Sequence, residues 1–175
     1  MLFPVLQAVK KKKHLDYTLV ISGSHLIRKY GSTIEEVNQD DHKNIIKVTS
    51  NNNFSEPGNM AVSISKIILK LTKVIQKIKP MAIVVYGDRY ETFGATIAGH
   101  ENNLVVAHIE GGDITSGGTH DDNIRHAITK LAHLHFPTNS LSYKKILSLG
   151  EEKWRVNMVG FTAIDLIKNN NFTAV

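Results

Sequence analysis

Apolar and polar positions along the chain follow two periods. Ala61, Ile64, Ile68, Leu71, Ile75 and Ile78 recur at three- and four-residue spacing, which predicts an amphipathic helix over 59–80, stopped by Pro80. Leu2, Phe3, Leu6 and Val9 share that spacing and predict an opening helix. Short apolar runs predict strands at "YTLVISG" (17–23), "IIKVTS" (45–50), "MAIVVYGD" (81–88), "LVVAHIE" (104–110), "LHFPTN" (134–139) and "RVNMVGF" (155–161). The third and fourth of these are apolar enough for strands buried on both faces. Helical stretches at 91–102, 121–133, 142–150 and 163–169 complete the pattern, the second capped by aspartate and the third stopped by Gly150.

Strands alternating with helices imply right-handed βαβ units and a parallel sheet covered on both faces. The predicted fold class is therefore α/β, a doubly wound Rossmann-like sheet, although the GxGxxG fingerprint is absent. Ligands in such sheets bind beyond the carboxyl ends of the strands. The densest polar stretches, "SGSH" (22–25), "YGDR" (86–89) and "HIEGGD" (108–113), each follow a predicted strand and should share one edge. Such a sheet normally opens on a central strand, whereas this chain opens on a helix. The expectation is a first strand missing from the sequence, or a fold that begins differently.

The composition changes this picture little. The 175 residues suit one domain with a real core, and 42% apolar and 21% charged residues are ordinary for a globular chain. Without cysteine, disulfides and thiolate metal sites are excluded. No apolar run approaches the ~18 residues of a membrane span and no signal peptide opens the chain, so a cytoplasmic protein without a membrane partner is expected. The net charge of +5 owes much to Lys10, Lys11, Lys12 and Lys13, placed where cations complement a helix dipole. No RNA-binding aromatic signature or zinc-finger spacing accompanies it, so a nucleic-acid partner is not expected. The balance equally suits an anionic ligand such as a nucleotide.

The candidate chemistry lies in "HIEGGDITSGGTHDDNIRHAITKLAH" (108–133), which opens with four acids (Glu110, Asp113, Asp121, Asp122) among four glycines. Gly111 and Gly112 would let backbone N–H groups approach a ligand closely. A helix cap worth ~1 kcal/mol accounts for one aspartate, not for two together with Glu110 and Asp88. Arg125 could hold a carboxylate or phosphate through two parallel hydrogen bonds. His108, Glu110, Asp113 and His120 are also types that suit a divalent metal, so a metal-dependent hydrolase is one alternative.

The ordered set "YGDRYE", "HIEGGD" and "DDNIRHAITKLAHLH", with "SGSHLIRKYG" and "EEVNQDD" upstream and "RVNMVGFTAIDLI" downstream, resembles the hydrolysing UDP-N-acetylglucosamine 2-epimerases of sialic acid biosynthesis. The resemblance implies the N-terminal half of a glycosyltransferase-B-like two-domain fold. It implies that UDP-N-acetylglucosamine and water give N-acetylmannosamine and UDP, through elimination to a glycal and rehydration, with no metal or redox cofactor. It also implies a homo-oligomer, a dimer, when full length. Elimination takes the C2 proton from one face and hydration returns one to the other, so two proton-transfer groups are needed. On the matching positions, Asp88, Glu110, Asp121 and Asp122 are the implied catalytic acids, with Asp88 and Glu110 favoured for acid/base work and Asp122 contributing at the helix start. Of the matching histidines, His108 and His25 at strand ends rank above His133 and His135; His108 joins the catalytic set. Substrate binding would fall to His25, Gly87, Arg89, Gly111, Gly112, Arg125 and His126.

The resemblance further implies a strand with a Gly-Thr-Arg-like loop before Met1 and a second domain after Val175. Residues 1–175 are thus expected to be an incomplete N-terminal domain, inactive and marginal alone, aggregating or dimerising through open strand edges. The glycine-rich loop is longer than the family's usual one and carries His120 where an apolar residue is common; some relatives have histidine in place of Tyr86. A UDP- or GDP-linked diacetamido-trideoxy sugar is an alternative substrate, and a non-catalytic truncated domain an alternative role.

Overall fold

Five short strands carry the polar turns, all paired in parallel, in a computed structural model that describes residues 2–26, 37, 42, 44–50, 58–118 and 120–168. Strands β1 (Leu19–Ser22) and β2 (Ile45–Val48) form one sheet; β3 (Ala82–Tyr86), β4 (Val105–Ile109) and β5 (Leu134–Phe136) form another in that order. Among the described residues β1 pairs only with β2, and β3 only with β4. Helices α1 (Phe3–Lys10), α2 (Asn59–Ile78), α3 (Tyr90–Glu101), α4 (His120–Leu131), α5 (Ser140–Ser148) and α6 (Ala163–Lys168) alternate with them. The upstream stretches 22–31 and 35–41 lie, apart from residues 22–26 and 37, outside the described residues.

Helix α2 spans the two sheets. Near its start Ile67 packs with Val48 and Tyr90, and further on Leu71 and Ile75 pack with Ala98 and Ile83. Its buried face is Ser63, Ile67, Leu71 and Ile75, rotated from the predicted stripe, with Ala61 and Ile78 exposed. The crossing with α3 sets that rotation. A Cβ on Gly94 would meet Ile67 at 3.0 Å and the Ile64 carbonyl at 3.3 Å, so only small residues let the helices approach this closely. The helix ends as predicted, with Lys79 left-handed before Pro80.

The main core joins β3 and β4 to α3 and α4 through Val85, Val106, Ile128 and Ala132. Two expectations fail here. Strand β3 is not buried on both faces, because Val84 is 51% exposed on the face opposite Ile83 and Val85. The strand expected at 155–161 reduces to a bridge between Val156 and His135. Its segment still donates from Asn157 to the His135 carbonyl and from Val159 to the Pro137 carbonyl. Pro137 has no N–H to return, so no ladder propagates.

Glu151 fastens this end of the sheet to α4. Its buried carboxylate accepts from Lys130 at 2.5 Å and Arg155 at 2.7 Å, with His135 Nε2 at 3.3 Å. Burial opposes ionisation of Glu151, but Lys130, His135 and Arg155 outweigh it and hold the carboxyl below its ordinary range. Among the described residues no helix is long and apolar enough to cross a membrane. Glu151→Ala should destabilise the fold by about 3 kcal/mol at neutral pH, measured by urea unfolding. A depressed carboxyl contributes stability above its unfolded value, so this deficit should shrink as pH falls below 4.5.

Candidate active site

The turns after β3 and β4 lie side by side because the strands pair in register, Tyr86 opposite Ile109. Gly87 N donates to the Ile109 carbonyl at 3.0 Å, and Glu110 N donates to the Phe136 carbonyl at 3.1 Å. Glu110 holds a left-handed backbone, φ 64°, uncommon for a residue with a side chain and a feature that gathers at functional sites. A Cβ on Gly87 would sit 4.0 Å from Glu110 Oε2, so the carboxylate lies over the neighbouring turn. The turn after β1 joins the same edge, since a Cβ on Gly23 would collide with the Glu91 carboxylate at the start of α3. The three polar strand ends therefore converge as expected.

Arg125 organises the acids. From α4, only 13% exposed, its Nη2 donates to Asp88 Oδ2, while Nη1 donates to Asp122 Oδ1 at 2.9 Å and to the Asp113 carbonyl at 2.8 Å. The other Asp122 oxygen accepts from Thr115 N at 2.8 Å, and that hydrogen bond, helped by Arg125, lowers its pKa. Asp122 thus closes the glycine-rich loop onto α4 with both oxygens engaged. Asp113, counted among the loop acids by the sequence but given a role only in the metal alternative, joins the acid set. Its carboxylate accepts from Ser142 Oγ and from Asn139 Nδ2 at 3.4 Å, and Asn139 in turn caps α5. Asp121 stands apart, 70% exposed beside His120.

Glu110 differs from the other acids. Burial, reinforced by Asp113 and Asp88, raises its pKa, partly opposed by a hydrogen bond from Tyr86 and by Arg125. A half-buried carboxyl shifted upward is poised to exchange a proton. Beside this set, a cleft of about 680 Å³ opens between the loop and α5, lined by Asp113, Thr115, Arg125, Asn139, Ser142 and Lys145 among others.

His108 is fully buried beneath the turn. Its Nε2 donates to the Gly87 carbonyl at 2.9 Å, and its Nδ1 lies 3.4 Å from a Thr129 hydroxyl that donates to the Arg125 carbonyl. Burial, with His135 and Arg125 nearby, pushes it down to about 4, so it stays neutral and holds the turn in place. Gly111 packs on that ring, and Gly112, at φ 84°, packs on the Ser142 carbonyl; both glycines serve packing. Arg89 is 60% exposed and pairs with Glu91 through Nε at 3.1 Å and Nη2 at 3.2 Å. His25 is exposed. His126 keeps a buried Nδ1 without a hydrogen-bond partner, and burial and Lys145 lower its pKa. Of the residues in the metal alternative, His108 is committed to Gly87 and His120 is exposed, and no metal-ligating cluster of three forms among the described residues.

The parallel strands, flanking helices and shared carboxyl edge define the N-terminal half of a glycosyltransferase-B-like fold. A crystal structure of a UDP-GlcNAc 2-epimerase from Neisseria meningitidis bound to UDP-GlcNAc superposes with TM-score 0.79 at 23% identity, covering 97% of this chain and 45% of that one. Residues 7–174 match the UDP-N-acetylglucosamine 2-epimerase family, and the chain belongs to it. It is similar to the UDP-N-acetylglucosamine 2-epimerase of Neisseria meningitidis serogroup B, 28% identical over 98% of this chain and 44% of the relative. It is also similar to the UDP-N,N'-diacetylbacillosamine 2-epimerase (hydrolyzing) of Legionella pneumophila, 32% identical over 93% of this chain and 43% of the relative. The chain thus spans less than half the length of these relatives.

A buried histidine with a lowered pKa is tolerated above its unfolded value of 6.5 and costs stability as pH falls from there towards 4. His108→Gln, which lacks that proton, should show a shallower loss of melting temperature across this window.

Proposed function

We propose that this chain forms the proton-transfer half of a hydrolysing nucleotide-sugar 2-epimerase, cytoplasmic and homodimeric when full length. The reaction converts UDP-N-acetylglucosamine and water into N-acetylmannosamine and UDP, supplying sialic acid precursors. One observation carries this reading: Glu110, with its raised pKa, stands beside Asp88 and Asp113 at the carboxyl edge while Arg125 holds Asp88 and Asp122. A C2–H bond is too weak an acid for a bare carboxylate. As the C1–O bond to the diphosphate breaks, oxocarbenium character makes that proton removable and leaves a glycal. Water then adds at C1 and a proton returns to the opposite face of C2. Glu110 and Asp88 are the proposed pair, one on each face, with Arg125 holding Asp88 in position. Asp122, with both oxygens engaged, supports the loop instead, and Asp121 is exposed beside His120.

The greater identity to the diacetylbacillosamine epimerase, 32% against 28%, favours a second reading within the class. There the same acids would act on a UDP- or GDP-linked diacetamido-trideoxy sugar. The chain alone, less than half the length of these relatives, is expected not to turn over.

Assaying the full-length protein with each nucleotide sugar decides between the substrates. In heavy water the product should carry deuterium at C2; its absence would refute the elimination route. Glu110→Gln and Asp88→Asn should each lower kcat by at least about 100-fold, and a variant that retains activity removes that residue from the mechanism.

A further inference from the structure

We propose that Tyr86 is the positioning residue for Glu110, orienting its carboxylate through a hydrogen bond from the phenol, with Thr162 completing a chain that ends at the start of α6. The inference rests on the reading of Glu110 as a proton-transfer group. Tyr86 closes β3 and pairs in register with Ile109, the residue before Glu110, so phenol and carboxylate occupy adjacent strand ends. The Glu110 carboxylate lies over Gly87, the residue that follows Tyr86, and phenol and carboxylate act on each other's ionisation as a hydrogen-bonded pair would, as Thr162 does on the phenol. Thr162 immediately precedes α6, and its carbonyl accepts from Asp165 N at 3.2 Å, which anchors the chain in the opening turn.

The chemistry of the donor matters. Asp88 and Asp122 are oriented by a charged guanidinium. Glu110 is fixed at the backbone by its left-handed turn and the bond to Phe136, yet its side chain keeps several rotatable bonds. A neutral phenol can settle that orientation with a smaller loss of basicity. Burial and the Glu110 carboxylate push the Tyr86 hydroxyl up, so it remains a donor wherever Glu110 titrates. The charged groups facing Glu110 are Asp88 after β3, Asp113 in its own loop and Arg125 on α4, and Tyr86→Phe leaves all three in place.

In the full-length protein, Tyr86→Phe is expected to lower kcat about tenfold with KM within about twofold, the pattern of a group acting through another. Losing a donor to the charged form should move the acidic limb of the pH profile up by about one unit. The carboxyl carbon of Glu110, labelled with carbon-13 and assigned with Glu110→Gln, should titrate higher by the same amount. That reading does not depend on turnover, and an unmoved midpoint overturns the inference. A moved midpoint in a protein without epimerase activity upholds the pairing and overturns the proposed reaction instead. Thr162→Val should give a smaller shift in the same direction, and none in the Tyr86→Phe background. A shift that persists there removes Thr162 from the chain.

Discussion

One guanidinium holds the carboxyl edge together. Arg125 on α4 reaches the turn after β3 at Asp88, the loop after β4 at the Asp113 carbonyl, and its own helix start at Asp122. Two unit charges about 4 Å apart at an effective dielectric near 20 interact by about 4 kcal/mol, so close aspartates on a half-buried edge need a cation between them. The supports of Arg125 are equally specific. Its carbonyl accepts from Thr129, whose hydroxyl lies against His108, and His108 donates to the turn that bears Asp88. Further along α4, Lys130 is tied to buried Glu151, so the helix presenting Arg125 is fixed at both ends.

This arrangement divides the acids by what holds them. Asp88 and Asp122 are held by a cation, and Asp113 by hydroxyl and amide donors at the start of α5. Such contacts fix geometry, and at Asp122 they also lower the pKa. Glu110 is placed by backbone strain and a phenol, and burial works against its charge. Within one cluster of carboxylates, the environment has pulled Glu110 upward and Asp122 downward. Local rigidity makes that separation possible, because a carboxylate free to rotate into water would lose the shift.

The alternation of strands and helices, the termination of α2 at Pro80 and the convergence of three polar strand ends were all legible in the sequence, since each depends on local period or on the rule for parallel sheets. The rotation of the α2 stripe was not, because Gly94, the residue that lets Ile67 approach α3, lies far from it in sequence. The strand expected at 155–161 looked complete on its own apolar pattern; its failure lies with Pro137, just beyond the end of β5. Within the site, residue types marked the region but not the assignments. Asp113 and Asp121 flank the same glycines, yet only Asp113 meets Ser142 and Asn139. Arg125 was anticipated as a clamp on a carboxylate or phosphate and clamps two carboxylates of its own chain. His108 looked reactive at a strand end, and its complete burial is a property of the register with His135 on β5.

The charge balance of this edge bears on how the proposed reaction is shared. Asp88, Asp113, Asp122 and Glu110 surround a single guanidinium, so the edge is acidic even with Glu110 protonated. A departing diphosphate carries its own negative charge and is repelled by such a surface. The sugar ring can lie against these carboxylates, because oxocarbenium character gives C1 positive charge as the bond breaks and anions there lower the barrier. The diphosphate requires cations or helix N-termini turned away from the acids. Among the described residues, Arg89 at these turns is already paired with Glu91, and Lys145 lines the cleft beside Arg125. In the proposed reaction the acids thus serve the sugar ring, and the diphosphate is left to the cations of the neighbouring cleft or of another surface.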